Sequence, residues 1–324
     1  MPPEILEFEE PIAAVLKEIE ALDQLPRTEA RDRQVEALRR RVDTMRADLY
    51  ATLTPWQRVL VARHPARPCL EDFVKLLFTG FVEIHGDRRF ADDHAIMTGF
   101  AEYKGQPVLL VGHVKGGDTK EKIYRNFGYA RPEGYRKALR AMRLAEKFRR
   151  PIIVFVDTPA AYPGIESEER GVAEAIAVNL RDMMILDTPI VIVISGEGGS
   201  GGALGIAVGD AVLMQEFAIY SVIPPEGCAA ILWRDASRKI EAAEALKLTA
   251  PDLLAAQIVD EIVPEPVGGA HADPGGAAQL LDAALERALG AVTALDSKTR
   301  LDLRYEKFRR MGKAGIDFVD EGTE

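Results

Sequence analysis

The chain has 324 residues, of which 47% are hydrophobic and 28% charged, with a formal net charge of -10. This composition is typical of a folded globular protein, and the acidic balance argues against a nucleic-acid-binding protein. The longest apolar runs, PIIVFV and PIVIVIS, are far shorter than the roughly 18 residues of a membrane span, so we expect a cytoplasmic protein. Two isolated cysteines, Cys69 and Cys228, predict reduced thiols and no disulfide or zinc framework.

The first segment, residues 1–53, predicts a helical hairpin. Apolar residues recur at helical spacing in EPIAAVLKEIEALDQL and again in the highly charged run that follows Pro26. The apolar stripe is thin, so we expect the hairpin to rest on another surface, such as another subunit, more than on its own core.

From about Trp56 the pattern changes to alternating strands and helices, which predicts an α/β core with a parallel sheet over residues 54–295. In chain order we expect a hairpin (AIMTGFAEY, PVLLVGHVK), a helix (PEGYRKALRAMRLAEKF), a strand (PIIVFVD), a helix (SEERGVAEAIAVNLRDMMIL), a strand (PIVIVIS), two short strands (AVLMQE, AIYSV), three short helices and a long helix (PGGAAQLLDAALERALGAVTAL). Residues 296–324 predict a helical and polar tail.

Positive charge is concentrated between Lys115 and Arg150, where twelve Lys or Arg residues accompany four acids. A helix dipole accounts for the positive residues from Arg143 onward, at the end of a predicted helix, but not for those of the loop 115–136. In an acidic protein, such a loop predicts contact with an anionic ligand or partner.

Seven glycines lie among the sixteen residues from Ser195 to Asp210, directly after a predicted strand. Gly196, Gly198 and Gly201 fit the dinucleotide-binding pattern G-x-G-x-x-G. The helix that could follow has room for only about two turns, which is short for a βαβ crossover, so this interpretation is weak.

The same stretch fits the nucleophile elbow G-x-S-x-G around Ser200. A serine hydrolase would use Ser200 with His271, the only histidine after it, oriented by Asp260 or Asp273. A serine among glycines is also a common helix N-cap, so the pattern alone does not decide.

A third alternative uses only the main chain. A glycine-rich turn that leads into a helix presents N–H groups without intrahelical partners, and such donors bind an oxyanion. A second loop with glycine and proline, DTPAAYPGIESEERG, follows the preceding strand, and ligands bind at the carboxyl ends of adjacent parallel strands. The two loops could therefore form one cleft, unless the glycines serve only tight packing of a helix on a strand.

Together these segments resemble one family, the alpha subunits of bacterial acetyl-coenzyme A carboxylase carboxyltransferase. The matching stretches run in order to about Pro274 and include KGGDTKEKIYRNFGYARPEGYRKALRAM, PIIVFVDTPAAYPGIESEERGVAEAIAVNLRDM, GEGGSGGALGIAVGD and YSVIPPEGCAAILW. The resemblance implies an α/β fold of the crotonase/ClpP-like type, a spiral of ββα units, here with an N-terminal helical hairpin.

The resemblance also implies a reaction and its partners. The carboxyl group would pass from carboxybiotin, held on a biotin carboxyl carrier protein, to acetyl-CoA, forming malonyl-CoA in the first committed step of fatty acid synthesis. A zinc-containing beta subunit would supply the coenzyme A side in an α2β2 heterotetramer, with biotin carboxylase as a further partner. The alpha subunit would need no metal, membrane or nucleic acid. A non-catalytic scaffold subunit is a third possibility.

The family's mechanism, transferred to this sequence, assigns the backbone amides of Gly201 and Gly202 to an oxyanion hole for the ureido oxygen of biotin. The remaining expected cofactor-binding residues belong to the two loops: Gly198, Gly199, Ser200, Tyr162, Pro163 and Gly164. Loop 115–136 would meet coenzyme A phosphates or acidic partner surfaces. Ala160, where the family usually has glycine, and Gly117, in place of a long basic residue, predict small changes in how biotin or coenzyme A is positioned.

Overall fold

The computed structural model describes residues 5–312 and contains an eight-stranded mixed sheet. Its strands are β1 (Thr79–Glu83), β2 (Ile96–Tyr103), β3 (Gln106–His113), β4 (Ile152–Thr158), β5 (Ile190–Gly199), β6 (Ala211–Gln215), β7 (Ile219–Ser221) and β8 (Glu261–Val263). The strand order is β1-β2-β3-β4-β5-β6-β8, and β7 pairs with the end of β5. The first three strands are antiparallel, and the later pairs are parallel.

The helices lie between and around these strands. They are α1 (Glu10–Asp23), α2 (Glu29–Ala51), α3 (Pro55–Ala62), α4 (Leu70–Leu77), α5 (Thr119–Tyr124), α6 (Pro132–Lys147), α7 (Ile165–Glu169), α8 (Val172–Met183), α9 (Ser200–Leu204), α10 (Pro225–Trp233), α11 (Lys239–Ala245), α12 (Ala250–Ala255), α13 (Pro274–Thr293) and α14 (Ser297–Arg310).

Side chains of β4 alternate between two apolar layers. Ile152, Val154 and Val156 pack with α6 and α8, whereas Ile153 and Phe155 pack with α4 and α13. Because helices cover both faces, a parallel strand here is apolar throughout, which explains why β4 and β5 are recognisable as continuous β-branched runs.

The N-terminal helical hairpin is present, but its apolar stripe packs on itself. A separate small core is formed by residues of α1 and α2: Ile12, Val15, Ile19, Val35 and Val42. The two helices thus cover each other, and contact of the hairpin with another subunit stays a prediction. At its end, α2 also packs on the rest of the protein through Tyr50, whose ring centre lies 5.4 Å from that of Phe217.

Other elements differ from the sequence predictions. The helix expected over 167–186 is divided into α7 and α8 by Gly171, whose φ is +76°. β5 continues through Gly199, and α9 has only five residues. Helices α3 and α4 and strand β1 had no clear signal. Residues 1–4 of the predicted hairpin and 313–324 of the predicted tail lie outside the described residues.

Helix α14, in the predicted polar tail, is fixed to the core by Arg304. The buried guanidinium pairs with Asp210, with Nε 2.8 Å from Oδ1 and NH2 2.8 Å from Oδ2. It also donates to the carbonyls of Met183, Leu186 and Thr188. All these acceptors belong to the core, so this helix is held by a buried, fully bonded charge.

The two cysteines are free, as expected. Burial raises the pKa of the Cys69 thiol to about 12, so it is not a reactive thiolate near neutral pH. No helix within residues 5–312 has the length and apolar character that a membrane span requires.

Candidate active site

The loops after β4 and β5 meet at one edge of the sheet. β4 and β5 are parallel neighbours, with Ile152 opposite Ile190, so both loops lie at carboxyl ends of adjacent strands, as predicted. The contact is close. A Cβ at Gly199 would lie 1.8 Å from the carbonyl oxygen of Pro159, and a Cβ at Gly202 would lie 2.3 Å from the amide nitrogen of Ala161. Both glycines are therefore required by the contact between the loops.

Other glycines of the stretch also make room for protein groups. At three of them, an added Cβ would lie within 2.7 Å of a neighbouring side chain: the Asp157 carboxylate at Gly196, the Tyr220 ring at Gly198 and the Tyr135 ring at Gly205. Gly201 differs, because its nearest such neighbour is the Ile176 Cδ1 atom at 3.7 Å, an ordinary contact. The packing role that the sequence left open thus accounts for most of these glycines.

Helix α9 presents free amides at its start. The first N–H groups of a helix have no intrahelical partner. Within residues 5–312, the N–H groups of Gly201 and Gly202 make no hydrogen bond. The Tyr135 hydroxyl donates to the Gly202 carbonyl (3.2 Å), and Asn179 Nδ2 donates to the Gly205 carbonyl (2.8 Å). These two hydrogen bonds fix the position of α9. The only signal for these two residues in the sequence is that each is a polar residue on the apolar face of a helix.

An apolar cleft of about 430 Å³ opens beside Ser200 and Gly201. Its walls include Leu204, Tyr220 and Phe308, and its lining among the described residues contains no Asp, Glu, His, Lys or Arg. Burial raises the pKa of the Tyr220 hydroxyl, so this group stays protonated near neutral pH. The cleft therefore offers main-chain donors and apolar walls, but no side chain suited to proton transfer. Among residues 5–312, no group of three or more His, Cys, Asp and Glu could hold a metal ion.

The predicted binding residues of the first loop do not line this cleft. The Tyr162 N–H donates to the Ala130 carbonyl at 2.9 Å, and the Arg131 guanidinium lies 4.8 Å from the centre of the Tyr162 ring. A Cβ at Gly164 would meet this ring at 2.3 Å, and Pro163 is exposed. Of the predicted site residues, the structure brings Ser200 and Gly201 to the cleft.

The serine hydrolase alternative lacks a base. Ser200 has φ +51°, a strained conformation at a strand-to-helix turn, as an elbow requires. Within the described residues its hydroxyl makes no hydrogen bond to His271, which instead stacks on His64 with ring centres 3.9 Å apart. Burial and the neighbouring His64 lower the pKa of His271 to about 3. Asp260 and Asp273 bond to other groups, so neither orients this histidine.

Three of the six cations of the basic loop 115–136 are neutralised from within the chain. Several of its cations are paired with carboxylates: Lys115 with Asp157 and Glu197, Arg125 with Glu71, and Arg136 with Asp87 and Glu133. These side chains therefore do not form the open anion-binding surface that the sequence predicted.

A family model described as acetyl co-enzyme A carboxylase carboxyltransferase-like matches residues 5–312. The chain belongs to this carboxyltransferase family. The acetyl-coenzyme A carboxylase carboxyl transferase subunit alpha of Geobacter metallireducens is 56% identical over 309 residues, which cover 95% of this chain and 97% of that protein. The corresponding subunit of Phenylobacterium zucineum is 52% identical over 96% of this chain and 98% of its own length.

Solved structures with low sequence identity share the fold. The transcarboxylase 12S hexamer, with methylmalonyl-coenzyme A and methylmalonic acid bound, matches 67% of this chain and 40% of its own, with a TM-score of 0.54 and 21% identity. A Pseudomonas malonate decarboxylase hetero-tetramer in complex with coenzyme A matches 68% and 90%, with a TM-score of 0.53 and 17% identity. These likenesses confirm the predicted α/β fold of the crotonase type.

Proposed function

We propose that this chain is the alpha subunit of a biotin-dependent carboxyltransferase, which transfers a carboxyl group to acetyl-CoA and so forms malonyl-CoA for fatty acid synthesis. Membership of the family supports the reaction. One observation carries the proposal for the site: among the described residues, the N–H groups of Gly201 and Gly202 are unbonded, and Gly201 lines the apolar cleft.

The residues present fit a biotin ring. Its ureido oxygen needs donors, and the N–H groups of Gly201 and Gly202 are unpaired, while the apolar walls beside Ser200 suit the rest of the ring. Gly198, Gly199 and the loop Tyr162–Gly164 would shape its surroundings. Carboxybiotin, when bound, supplies the carboxyl group.

The contribution of this chain is electrostatic and steric. Donors held in place by Tyr135 and Asn179 can stabilise negative charge on an oxygen beside them without reorganising, and removing one such donor costs roughly 10²–10³-fold in rate. With a ring bound, the apolar walls would keep water from part of its surface. Because the cleft has no side-chain base among its described lining residues, we infer that the acetyl-CoA proton goes to a group of the substrates or of a partner.

We further propose a zinc-containing beta subunit that completes the site, as an α2β2 heterotetramer, with a biotin carboxyl carrier protein and biotin carboxylase in the cytoplasm. The relatives named as subunit alpha support a partner subunit. Residues 54–295 would form the carboxyltransferase domain, with 1–53 as the hairpin and 296–324 as the tail.

Reconstitution tests this function directly. The chain and a family beta subunit are mixed, and malonyl-CoA formation from carboxybiotin and acetyl-CoA is measured, together with the reverse reaction from malonyl-CoA and a biotin derivative. We expect turnover by the pair and none by the chain alone. A folded, assembled pair that catalyses neither direction would contradict the proposal, and covalent labelling of Ser200 by a fluorophosphonate would support a hydrolase instead.

A further inference from the structure

Lys115, the first residue of the basic loop, is enclosed where β4 and β5 end. Its side chain is 21% exposed, and Nζ lies 2.7 Å from Asp157 Oδ1 and 2.9 Å from Glu197 Oε2. Asp157 belongs to β4 and Glu197 to β5, so this one ammonium group joins the two strands whose loops form the candidate site. A single cation thus bridges both halves of that site.

The Asp157 carboxylate also holds an irregularity in β5. Its Oδ1 accepts a hydrogen bond from the Glu197 N–H at 2.9 Å, and a Cβ at Gly196 would lie 2.3 Å from the same oxygen. Around this carboxylate the pairing of β4 with β5 is irregular. Val156 lies opposite Ile194 and Thr158 opposite Gly198, so β5 advances by four residues while β4 advances by two. The carboxylate fills the space that the bulge provides, and Lys115 holds the carboxylate.

Further charges complete the cluster. Glu197 Oε1 lies 2.6 Å from Arg63 Nε, and Arg63 NH1 lies 2.7 Å from Glu226 Oε1 on α10. Burial alone would raise the pKa of Glu197, but Lys115 and Arg63 outweigh it and hold this pKa below its usual range. Removing one partner from such a buried cluster leaves uncompensated charge, whereas replacing the whole cluster with apolar groups need not destabilise the fold. Its charges therefore fix the geometry of the two strand ends.

Short contacts connect the charged cluster to the backbone amides of Gly201 and Gly202. The Lys115 stem packs against Gly128, where a Cβ would be 2.8 Å from Lys115 Cγ. The Thr158 hydroxyl lies within hydrogen-bond distance of the Gly128 carbonyl (2.7 Å) and the Ala160 carbonyl (2.9 Å). Ala160 in turn contacts Gly202. A shift of β5 against β4 would therefore move α9 and its free amides.

We propose that Lys115 is a positioning residue of the carboxyltransferase reaction, which acts through Asp157 and Glu197 to set the place of the Gly201 and Gly202 amides. It does not bind an anionic substrate, because both carboxylates already occupy its ammonium group. This inference rests on the proposed function of those amides.

Lys115→Met tests the inference in the complex reconstituted with the beta subunit, because Met keeps the length of the side chain and removes its charge. A displacement of about 1 Å at a reacting group lowers rates by about 10²-fold. We expect kcat to fall by about that factor and KM for acetyl-CoA to stay unchanged. Loss of the cation lowers the melting temperature in either case, so kcat per folded complex is the readout that decides, and a residue with only a structural role would leave it unchanged.

Lys104→Met is a matched control. Lys104 also contacts two carboxylates, Asp282 at 3.0 Å and Glu286 at 2.6 Å, but it is 41% exposed at the turn between β2 and β3. Exposed pairs of this kind contribute little, so we expect kcat within about twofold of the wild type.

Glu197→Gln provides a second test if Lys115→Met does not fold. The amide keeps the volume of the carboxylate but turns an N–H toward either Lys115 or Arg63, so kcat should fall by at least about tenfold. The double variant with Lys115→Met should be no slower than the slower single variant, because both act on one element.

The outcomes separate this inference from the proposed function. If the wild-type complex transfers no carboxyl group, the proposed function fails. If it does, and Gly202→Ala loses activity while Lys115→Met and Glu197→Gln keep kcat, the positioning role alone is wrong. Fully additive losses in the double variant would also contradict it.

Discussion

Gly202→Ala perturbs the candidate oxyanion site by a single methyl group. That Cβ would lie 2.3 Å from the amide nitrogen of Ala161 and 2.4 Å from the carbonyl carbon of Ala160, where ordinary contacts begin at 3.4 Å. The backbone of the two loops must separate by about 1 Å, and backbone atoms cannot swing aside as a flexible side chain can. We expect kcat to fall by about 10²-fold and the free energy of unfolding by about 1–3 kcal/mol.

Two other alanine substitutions calibrate this loss. Gly201→Ala places its methyl 3.7 Å from Ile176, so the backbone stays in place and only the cleft beside it narrows. We expect a loss of less than about tenfold. Gly290→Ala, in α13, meets nothing within 4 Å, so it should keep full activity and stabilise the helix by up to about 1 kcal/mol.

The assay is malonyl-CoA formation by each variant after reconstitution with the beta subunit, with unfolding followed by urea titration. From the highest kcat to the lowest, the expected order is Gly290→Ala, Gly201→Ala and Gly202→Ala. A folded Gly202→Ala complex with kcat within about threefold of the wild type would refute the assignment of these amides, since a 1 Å displacement must disturb preorganised donors.

Ser200→Ala should keep kcat within about threefold and the wild type should resist fluorophosphonate labelling, because within residues 5–312 the Ser200 hydroxyl makes no hydrogen bond to a base; a large loss would favour the hydrolase. Arg304→Leu leaves Asp210 buried without its cation, so urea denaturation should show a loss of about 3–5 kcal/mol, and a loss below about 1 kcal/mol would contradict this. Glu197 has a lowered pKa in the fold, so it stabilises the protein above its unfolded pKa, and this contribution is lost as pH falls through the folded value. Lys115→Met should bring that folded pKa closer to the unfolded value, so the fall in melting temperature between about pH 6 and 3 should begin at the same pH but be smaller than in the wild type.

The predictability of the fold follows the local strength of each signal. β4 and β5 are unmistakable because a strand buried on both faces must be apolar, and β-branched residues fit it. The extension of β5 through Gly199 is invisible in the sequence, since glycine has no strand preference. Its strand conformation comes from pairing with β7, Gly198 opposite Tyr220, a contact that depends on the fold.

The same limit applies to the site. The glycine stretch and the loop after β4 could be placed together, because parallel strands end at a common edge. The partners of Lys115 could not be predicted, because Glu197 lies 82 residues away in sequence and no local pattern joins them. A basic residue in a basic loop indicates an anionic ligand, and only the tertiary structure shows that its own chain supplies the anions.

The composition of the glycine stretch is therefore a consequence of how the site is preorganised. Gly199 and Gly202 let two backbones touch, and Gly196 admits the carboxylate that holds their strands together. The donors for an oxyanion are main-chain amides, so their position can only be set by the backbone around them and by the charges that fix that backbone. This explains why the cleft itself carries no catalytic side chain among its described residues, whereas a charged cluster lies behind it. Substitutions in that cluster should change the rate without any contact with the substrate.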